Sequence, residues 1–280
     1  METGQVVLAD GRTLAYQDGE PGGVPVVLFH GAPGSRTFRP PEHQTRAAGV
    51  RLVTFDRPGY GGSTAREGRT VLDAVPDVAA LADVLQVDRF VAVAWSGGGP
   101  FAVATAFALP ERVRRLVLVS APGPLDEVPG GWEALGEYRR PTAEMARVDA
   151  ARSVRSVTRH MAPFLAEPVA FLGAGRGPDG LVMADPALRS MLEAQVRLAL
   201  CQGASGIAAD LVAMWLDWGF RLSDVHVPTA VFHGAADRSN GEDAQVYAAR
   251  IPGATLTVWP DAGHLGLLAH WLEVLVAASG

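Results

Sequence analysis

VAVAWSGGGP, residues 91–100, sets a serine between an apolar run and a run of glycines. The residues before Ser96 are continuously apolar, as in a strand covered by helices on both faces. The residues after it begin a segment of helical character reaching to about Leu109. A sharp strand-to-helix turn projects the serine oxygen from the top of a sheet, with the helix N-terminus beneath it. Small side chains at Ala94 and Gly98 let strand and helix approach closely, although the usual pattern has glycine where Ala94 stands. A serine among glycines also suits a helix cap or a phosphate-binding turn. The rest of the chain must therefore supply the chemistry.

A serine hydroxyl is a weak nucleophile at neutral pH and needs a base within hydrogen-bond reach, itself oriented by an acid. Both are present downstream. The apolar segment 229–233 runs into Gly234, Ala235, Ala236 and Asp237, and segment 255–259 runs into Pro260, Asp261, Ala262, Gly263 and His264. Active sites of open α/β sheets form at the carboxyl ends of strands, so these loops can converge on Ser96. Asp126, beyond the apolar segment 113–120, is an alternative acid position; Asp237 is preferred. The oxyanion formed on attack needs preorganised donors. The Gly97 N–H is one, and Ala32 in the loop HGAPGS (30–35) offers another, because Pro33 has no N–H to give.

Working outward, segments 5–9 and 13–17 flank Asp10-Gly11, a hairpin signal. Apolar segments 25–30, 51–56, 89–95, 113–120, 228–233 and 255–259 alternate with helical ones at 39–48, 71–85, 97–109, 242–250 and from about His264 onward. Such alternation predicts an α/β fold with a doubly wound, mostly parallel sheet. The stretch 122–223 differs: Pro/Gly turns at 122–124, 129–131 and 173–180 separate helical spacings. It is expected to be an inserted helical lid, with 1–121 and 224–280 forming the core. Its stripes Leu188, Met191, Leu192, Gln195, Leu198 and Leu211, Met214, Trp215, Trp218 are expected to pack the lid rather than to line a substrate site.

A 48% apolar, 19% charged chain of 280 residues can bury a large core. A net charge of -6 disfavours nucleic acid, although 148–159 is rich in arginine. The single cysteine, Cys201, permits no internal disulfide and is expected to be a buried thiol. No pair of histidines stands at ligand spacing with a carboxylate, so neither metal nor other cofactor is expected. The N-terminus lacks a basic start followed by a long apolar run, and no segment reaches the ~20 apolar residues of a membrane span. The expected setting is cytoplasmic, with a small molecule as partner and room for a homodimer.

HGAPGSR (30–36), FDRPGYGGS (55–63), AWSGGGPFA (94–102), HGAADRS (233–239) and PDAGHLG (260–266) together resemble the successive motifs of the α/β-hydrolase superfamily. The resemblance implies that Ser96, Asp237 and His264 hold the triad positions, and Ala32 and Gly97 the oxyanion-hole positions. It is nearest to the lid-bearing branch of esterases, lactonases, epoxide and haloalkane hydrolases and proline iminopeptidases. Serine rather than a carboxylate at the elbow disfavours the epoxide and haloalkane reactions. HGAPG matches the proline iminopeptidase loop only in part, since that group shows two glycines before the proline. Cleavage of a carboxylic ester, thioester or lactone leads. The alternatives are an iminopeptidase-like aminopeptidase, a lyase, acyltransferase or cyclase on the same fold, and a non-catalytic binding module.

Trp95, beside the nucleophile, either lines the acyl pocket or packs under the sheet, and is the candidate for substrate contact. Trp132, Tyr138, Phe164, Phe171, Trp215 and Trp218 are candidates for the roof. His30 and His233 are expected to hold turns, Asp56 and Arg57 to form a buried pair fixing a loop, and Asp261 to serve a turn.

Overall fold

The computed structural model describes residues 1–167 and 177–280. Eight strands form one sheet in the order β1-β2-β4-β3-β5-β6-β7-β8. They are β1 (Glu2–Val7), β2 (Thr13–Asp18), β3 (Val24–Phe29), β4 (Val50–Phe55), β5 (Phe90–Trp95), β6 (Val113–Val119), β7 (Thr229–Gly234) and β8 (Thr255–Trp259). The β1–β2 pair is the antiparallel hairpin signalled by Asp10-Gly11, and from β4 to β8 all pairings are parallel. β3 lies between β4 and β5, so the strand order reverses there. The loops leaving β3 and β5 thus diverge around a crevice at the carboxyl edge, where ligands of open α/β sheets bind.

The continuous apolarity of the central strands has a direct cause. Val91, Val93 and Trp95 of β5 bury into one cluster with Leu268, Trp271 and Leu275, while Phe90, Ala92 and Ala94 bury into another with Val78, Leu81 and Phe101. Successive side chains point to opposite faces, and helices cover both. In chain order these are α1 (Glu42–Ala47), α2 (Ala74–Val84), α3 (Gly99–Ala108), α4 (Gly131–Ala134), α5 (Gly136–Ala146), α6 (Ala150–Met161), α7 (Pro178–Ala184), α8 (Pro186–Ala199), α9 (Ser205–Trp215), α10 (Gly241–Arg250), α11 (Gly266–Ala269) and α12 (Trp271–Ser279).

Between β6 and β7 the described chain carries α4 to α9 and no strand. Within it α6 packs on both α5 and α9. Asp149 and Asp185 cap α6 and α8 by accepting the N–H of Arg152 at 2.8 Å and of Ala187 at 2.8 Å.

Several expectations need correction. α1 starts at Glu42 rather than Arg39, because Pro40 and Pro41 cannot enter a helix interior. The last helix is two, α11 and α12, broken at His270, whose ring stacks on Trp259 at 4.5 Å and meets Asp261 at 3.1 Å. Cys201 is exposed, in the turn after α8, with its Sγ 3.3 Å from the Gly61 carbonyl. Phe171 and the start of the turn at 173–180 lie outside the described residues. Among the described residues no helix is long and apolar enough to cross a membrane.

Candidate active site

Ser96 follows the fully buried β5 and takes a left-handed conformation, φ 51°, unusual for a residue with a side chain. Such strain is held only where the surroundings over-determine it. Here β5 ends, and α3 begins three residues on with Pro100 in its first turn. At Gly98 any Cβ would collide with the Phe29 and His30 carbonyls, so only glycine lets the helix start lie this close to β3.

His264 lies in the loop after β8, and its Nε2 is 3.0 Å from Ser96 Oγ. Its Nδ1 is 2.8 Å from Asp237 Oδ2 in the loop after β7. With Nδ1–H donating to the carboxylate, Nε2 is left to accept the serine proton, the tautomer a general base needs. Burial works to raise the pKa of Asp237. The hydrogen bond and charge of His264, with the Ser239 N–H at 2.9 Å, outweigh it and hold the carboxyl well below its usual range. The structure therefore brings together Ser96, His264 and Asp237 from three distant loops. Asp126, the alternative acid, lies elsewhere: it accepts from Trp132 Nε1 at 2.9 Å and pairs with Arg147.

Ala32 and Gly97 also meet. A Cβ built on Gly97 would stand 3.2 Å from the Ala32 nitrogen. The Gly97 amide belongs to the opening turn of a helix, where N–H groups have no carbonyl one turn back. The two backbone amides thus lie close together beside the Ser96 turn.

Trp95 does not stand on the cavity wall. It is buried, stacks on Phe38 at 4.7 Å, and donates from Nε1 to the His264 carbonyl at 2.8 Å. The expectation of substrate contact gives way to one of support for the imidazole loop.

Ser96, Gly97, Ala32 and His264 open on a cavity of about 500 Å³. Segment 122–223 contributes Leu125, Met161, Ile207, Leu211, Met214 and Trp215 to its walls, and among its described residues Arg139 is the only lining side chain that carries a charge. The stripe from Leu211 to Trp218 expected to pack internally is thus divided: Leu211, Met214 and Trp215 of α9 reach the cavity, whereas Trp218, beyond the helix, is buried against Phe220 and bonds the Met214 carbonyl at 3.2 Å. Trp132 is not on the wall either, and the side chains of Tyr138 and Phe164 lie outside those described. Among the described residues no group of three His, Cys, Asp or Glu side chains is placed to hold a metal ion.

Two carboxylates from segment 122–223 were not singled out in the sequence. Asp179 of α7 accepts the N–H groups of His264 at 3.1 Å and Leu265 at 2.9 Å. Asp210 of α9, fully buried, accepts from Arg57 Nε at 3.0 Å, Arg69 Nη2 at 2.5 Å and Tyr60 Oη at 2.8 Å. Burial opposes its ionisation, but the charges of Arg57 and Arg69 prevail and its pKa lies below the usual range.

Arg57 also donates to the carbonyls of His30 and, at 2.9 Å, Gly31, which lead into Ala32. The expected Asp56–Arg57 pair does not form. Asp56 pairs with Arg36 and accepts the Gly62 N–H at 2.8 Å, while Arg57 turns to Asp210. His30 does hold its turn, donating from Nδ1 to the Gly31 carbonyl at 2.7 Å and accepting the Arg57 N–H at Nε2 at 3.2 Å. Burial and the Arg57 charge push its pKa well down, which keeps this neutral tautomer. His233 Nε2 likewise holds the Asp237 carbonyl at 3.1 Å.

Residues 24–270 match the family model described as alpha/beta hydrolase fold. The chain is 30% identical over 271 residues to 2-hydroxy-6-oxononadienedioate/2-hydroxy-6-oxononatrienedioate hydrolase 2 of Pseudomonas putida, covering 92% of this chain and 87% of that one. A protein of Leptolyngbya boryana named as a probable proline iminopeptidase is 25% identical, covering 99% and 93%. The solved structure of a hydrolase from Pseudomonas aeruginosa superposes with a TM-score of 0.72 at 23% identity, covering 100% and 98%, a likeness of fold.

Proposed function

The chain belongs to the α/β-hydrolase fold family, and from that premise we propose that it is a serine hydrolase cleaving a small carboxylic ester, thioester or lactone through an acyl-enzyme on Ser96. The observation that carries the reading is the relay Asp237–His264–Ser96, with contacts of 2.8 and 3.0 Å, opening on a cavity of about 500 Å³. That size is within the ordinary range for small-molecule sites.

In this reading His264 Nε2 takes the Ser96 proton as Oγ attacks the acyl carbonyl. The Ala32 and Gly97 N–H groups stabilise the oxyanion, and Asp237 the imidazolium. Collapse expels the alcohol or thiol, which receives its proton from His264. Water then enters, loses a proton to the same nitrogen and attacks the acyl carbon; the Oγ–acyl bond breaks, Ser96 Oγ takes that proton from His264, and the acid leaves. Segment 122–223 acts as a lid: its apolar side chains wall the cavity and exclude bulk water from the acyl group.

A fluorophosphonate probe and a screen of p-nitrophenyl esters of graded acyl length, lactones and aminoacyl anilides test the proposal. Labelling of Ser96, ester or lactone turnover and loss of both in Ser96→Ala are expected. Labelling without any hydrolysis, or turnover of proline anilides alone, would overturn it.

A second reading has one observation in its favour. Arg139, exposed on the cavity wall, has no ion-pair partner among the described residues. A guanidinium there suits a substrate with a free carboxylate, as in the oxo-dioates of the Pseudomonas putida relative's name. Arg139→Ala would then raise KM for carboxylate-bearing substrates and leave neutral esters unchanged.

A further inference from the structure

The arginine-rich stretch noted at 148–159 folds as α6, and one face of that helix lines a second cleft, separate from Ser96, of about 570 Å³. The face carries Ala151, Val154, Arg155, Thr158 and Arg159. Opposite stand Gly59 and Ala65 to Arg69 of the loop following β4, and the start of α9 at Ser205 and Gly206.

Arg155 and Arg159 are exposed and one helical turn apart, a spacing at which like charges repel. Neither has an ion-pair partner among the described residues. The other two arginines are engaged: Arg66 with Asp73 at 2.5 Å, and Arg69 with Asp210, which it shares with Arg57. Two guanidiniums on one carboxylate leave that group a positive charge in excess. Among the described residues Glu67 is the sole carboxylate on the wall. The positive charge of the cleft therefore exceeds its negative charge.

Ala65, Ala151, Val154 and Ala209 supply apolar surface between these charges. The first amides of α9, at Ser205 and Gly206, add the positive end of a helix of 11 residues.

We propose that this cleft is a second ligand site, taking a small amphiphilic anion whose carboxylate or phosphate head meets Arg155 and Arg159 and whose short apolar body lies on the alanine and valine surface. Guanidinium forks match both heads in geometry and charge. The volume suits a small molecule rather than a macromolecular face. The site joins α6 and α9 to the core loop at the point where they already touch: a Cβ on Gly206 would come within 2.5 Å of the Gly59 carbonyl. Arg69, on the cleft wall, bonds Gly206 O at 2.9 Å and Asp210, whose other oxygen holds Arg57. The wall of this cleft is thus linked through three side chains, Arg69, Asp210 and Arg57, to the loop carrying Ala32.

The test is a calorimetric titration of the full chain with octyl phosphate, octanoate and octanol. Saturable binding of both anions is expected, with octanol weaker by about tenfold or more and affinity falling as salt rises. Arg155→Gln/Arg159→Gln should weaken the anions by about tenfold or more, and Arg155→Lys/Arg159→Lys should restore part of the loss. These positions are exposed, and an unchanged thermal midpoint would exclude unfolding as the cause. Ser96→Ala should bind the anions as the wild type does whether or not Ser96 is a nucleophile, so this result stands apart from the hydrolase reading. Octanol binding as tightly as the anions, a Gln/Gln variant indistinguishable from wild type, or no saturable binding would each overturn the proposal.

Discussion

Asp179 accepts the backbone N–H of His264 at 3.1 Å, so the loop carrying the imidazole is held from above by the helical segment. From below, Trp95 Nε1 holds the His264 carbonyl at 2.8 Å. The base is fixed through its own peptide groups, on both sides, by residues that do not line the cavity.

Asp179→Ala is expected to lower kcat by roughly ten- to a hundredfold with a smaller change in KM, since misplacing a reacting group by an ångström costs about that much. Asp179→Asn, which keeps one acceptor oxygen, should lose less. Steady-state kinetics on the best ester from the screen decide it, and an unchanged kcat in Asp179→Ala would show the loop needs no such tether.

Asp237→Asn should leave the fold intact and reduce kcat by up to about 10⁴-fold, because an amide N–H facing Nδ1 favours the tautomer that cannot take the serine proton. Turnover within about tenfold of wild type, with the melting temperature unchanged, would remove Asp237 from the mechanism.

Asp210→Leu strands Arg57 and Arg69, which are almost entirely buried. Breaking a buried pair in this way costs about 3–5 kcal/mol. Denaturant unfolding should show that loss, and a change under about 1 kcal/mol would mean that water reaches both guanidiniums.

Acid stability follows from the shifted groups. His30 has a lowered pKa when folded, so below about pH 6.5 the unfolded chain binds a proton the native one refuses, and stability declines as pH falls. Asp237 and Asp210, also lowered, contribute stability that is complete above the free carboxyl value of about 3.9 and is lost as pH drops through their folded values. Unfolding free energy measured from pH 7 to 3 should fall in two stages, with a shallower second stage in Asp237→Asn. A flat profile down to pH 4 would contradict the assignment for His30.

Ser96, Asp237 and His264 were legible because each follows an apolar strand in a loop rich in small residues, and the carboxyl ends of parallel strands converge. Asp179 and Asp210 were not. Asp179 acts on backbone groups 85 residues away, and Asp210 on an arginine 153 residues away, separations at which spacing says nothing. Asp210 did leave one trace: a carboxylate inside the apolar run GIAADLVAMW, which is stable when buried only with a cation beside it. Trp95 was ambiguous because alternation assigns a face of the sheet but not whether the strand's last side chain reaches the cavity. Cys201 was misread because burial of a thiol is a tendency of cores, and a turn after a helix is not one.

The two carboxylates that reach from segment 122–223 to the loops of His264 and Arg57 also bear on transplantation. Substrate preference in such a chain invites exchange of the whole segment for that of another protein. A donor segment without acids at the places of Asp179 and Asp210 would leave two guanidiniums stranded and the imidazole loop untethered, so it would arrive with the wrong pocket and a slackened engine at once. A chimaera has to be cut so that those two contacts travel with their receivers.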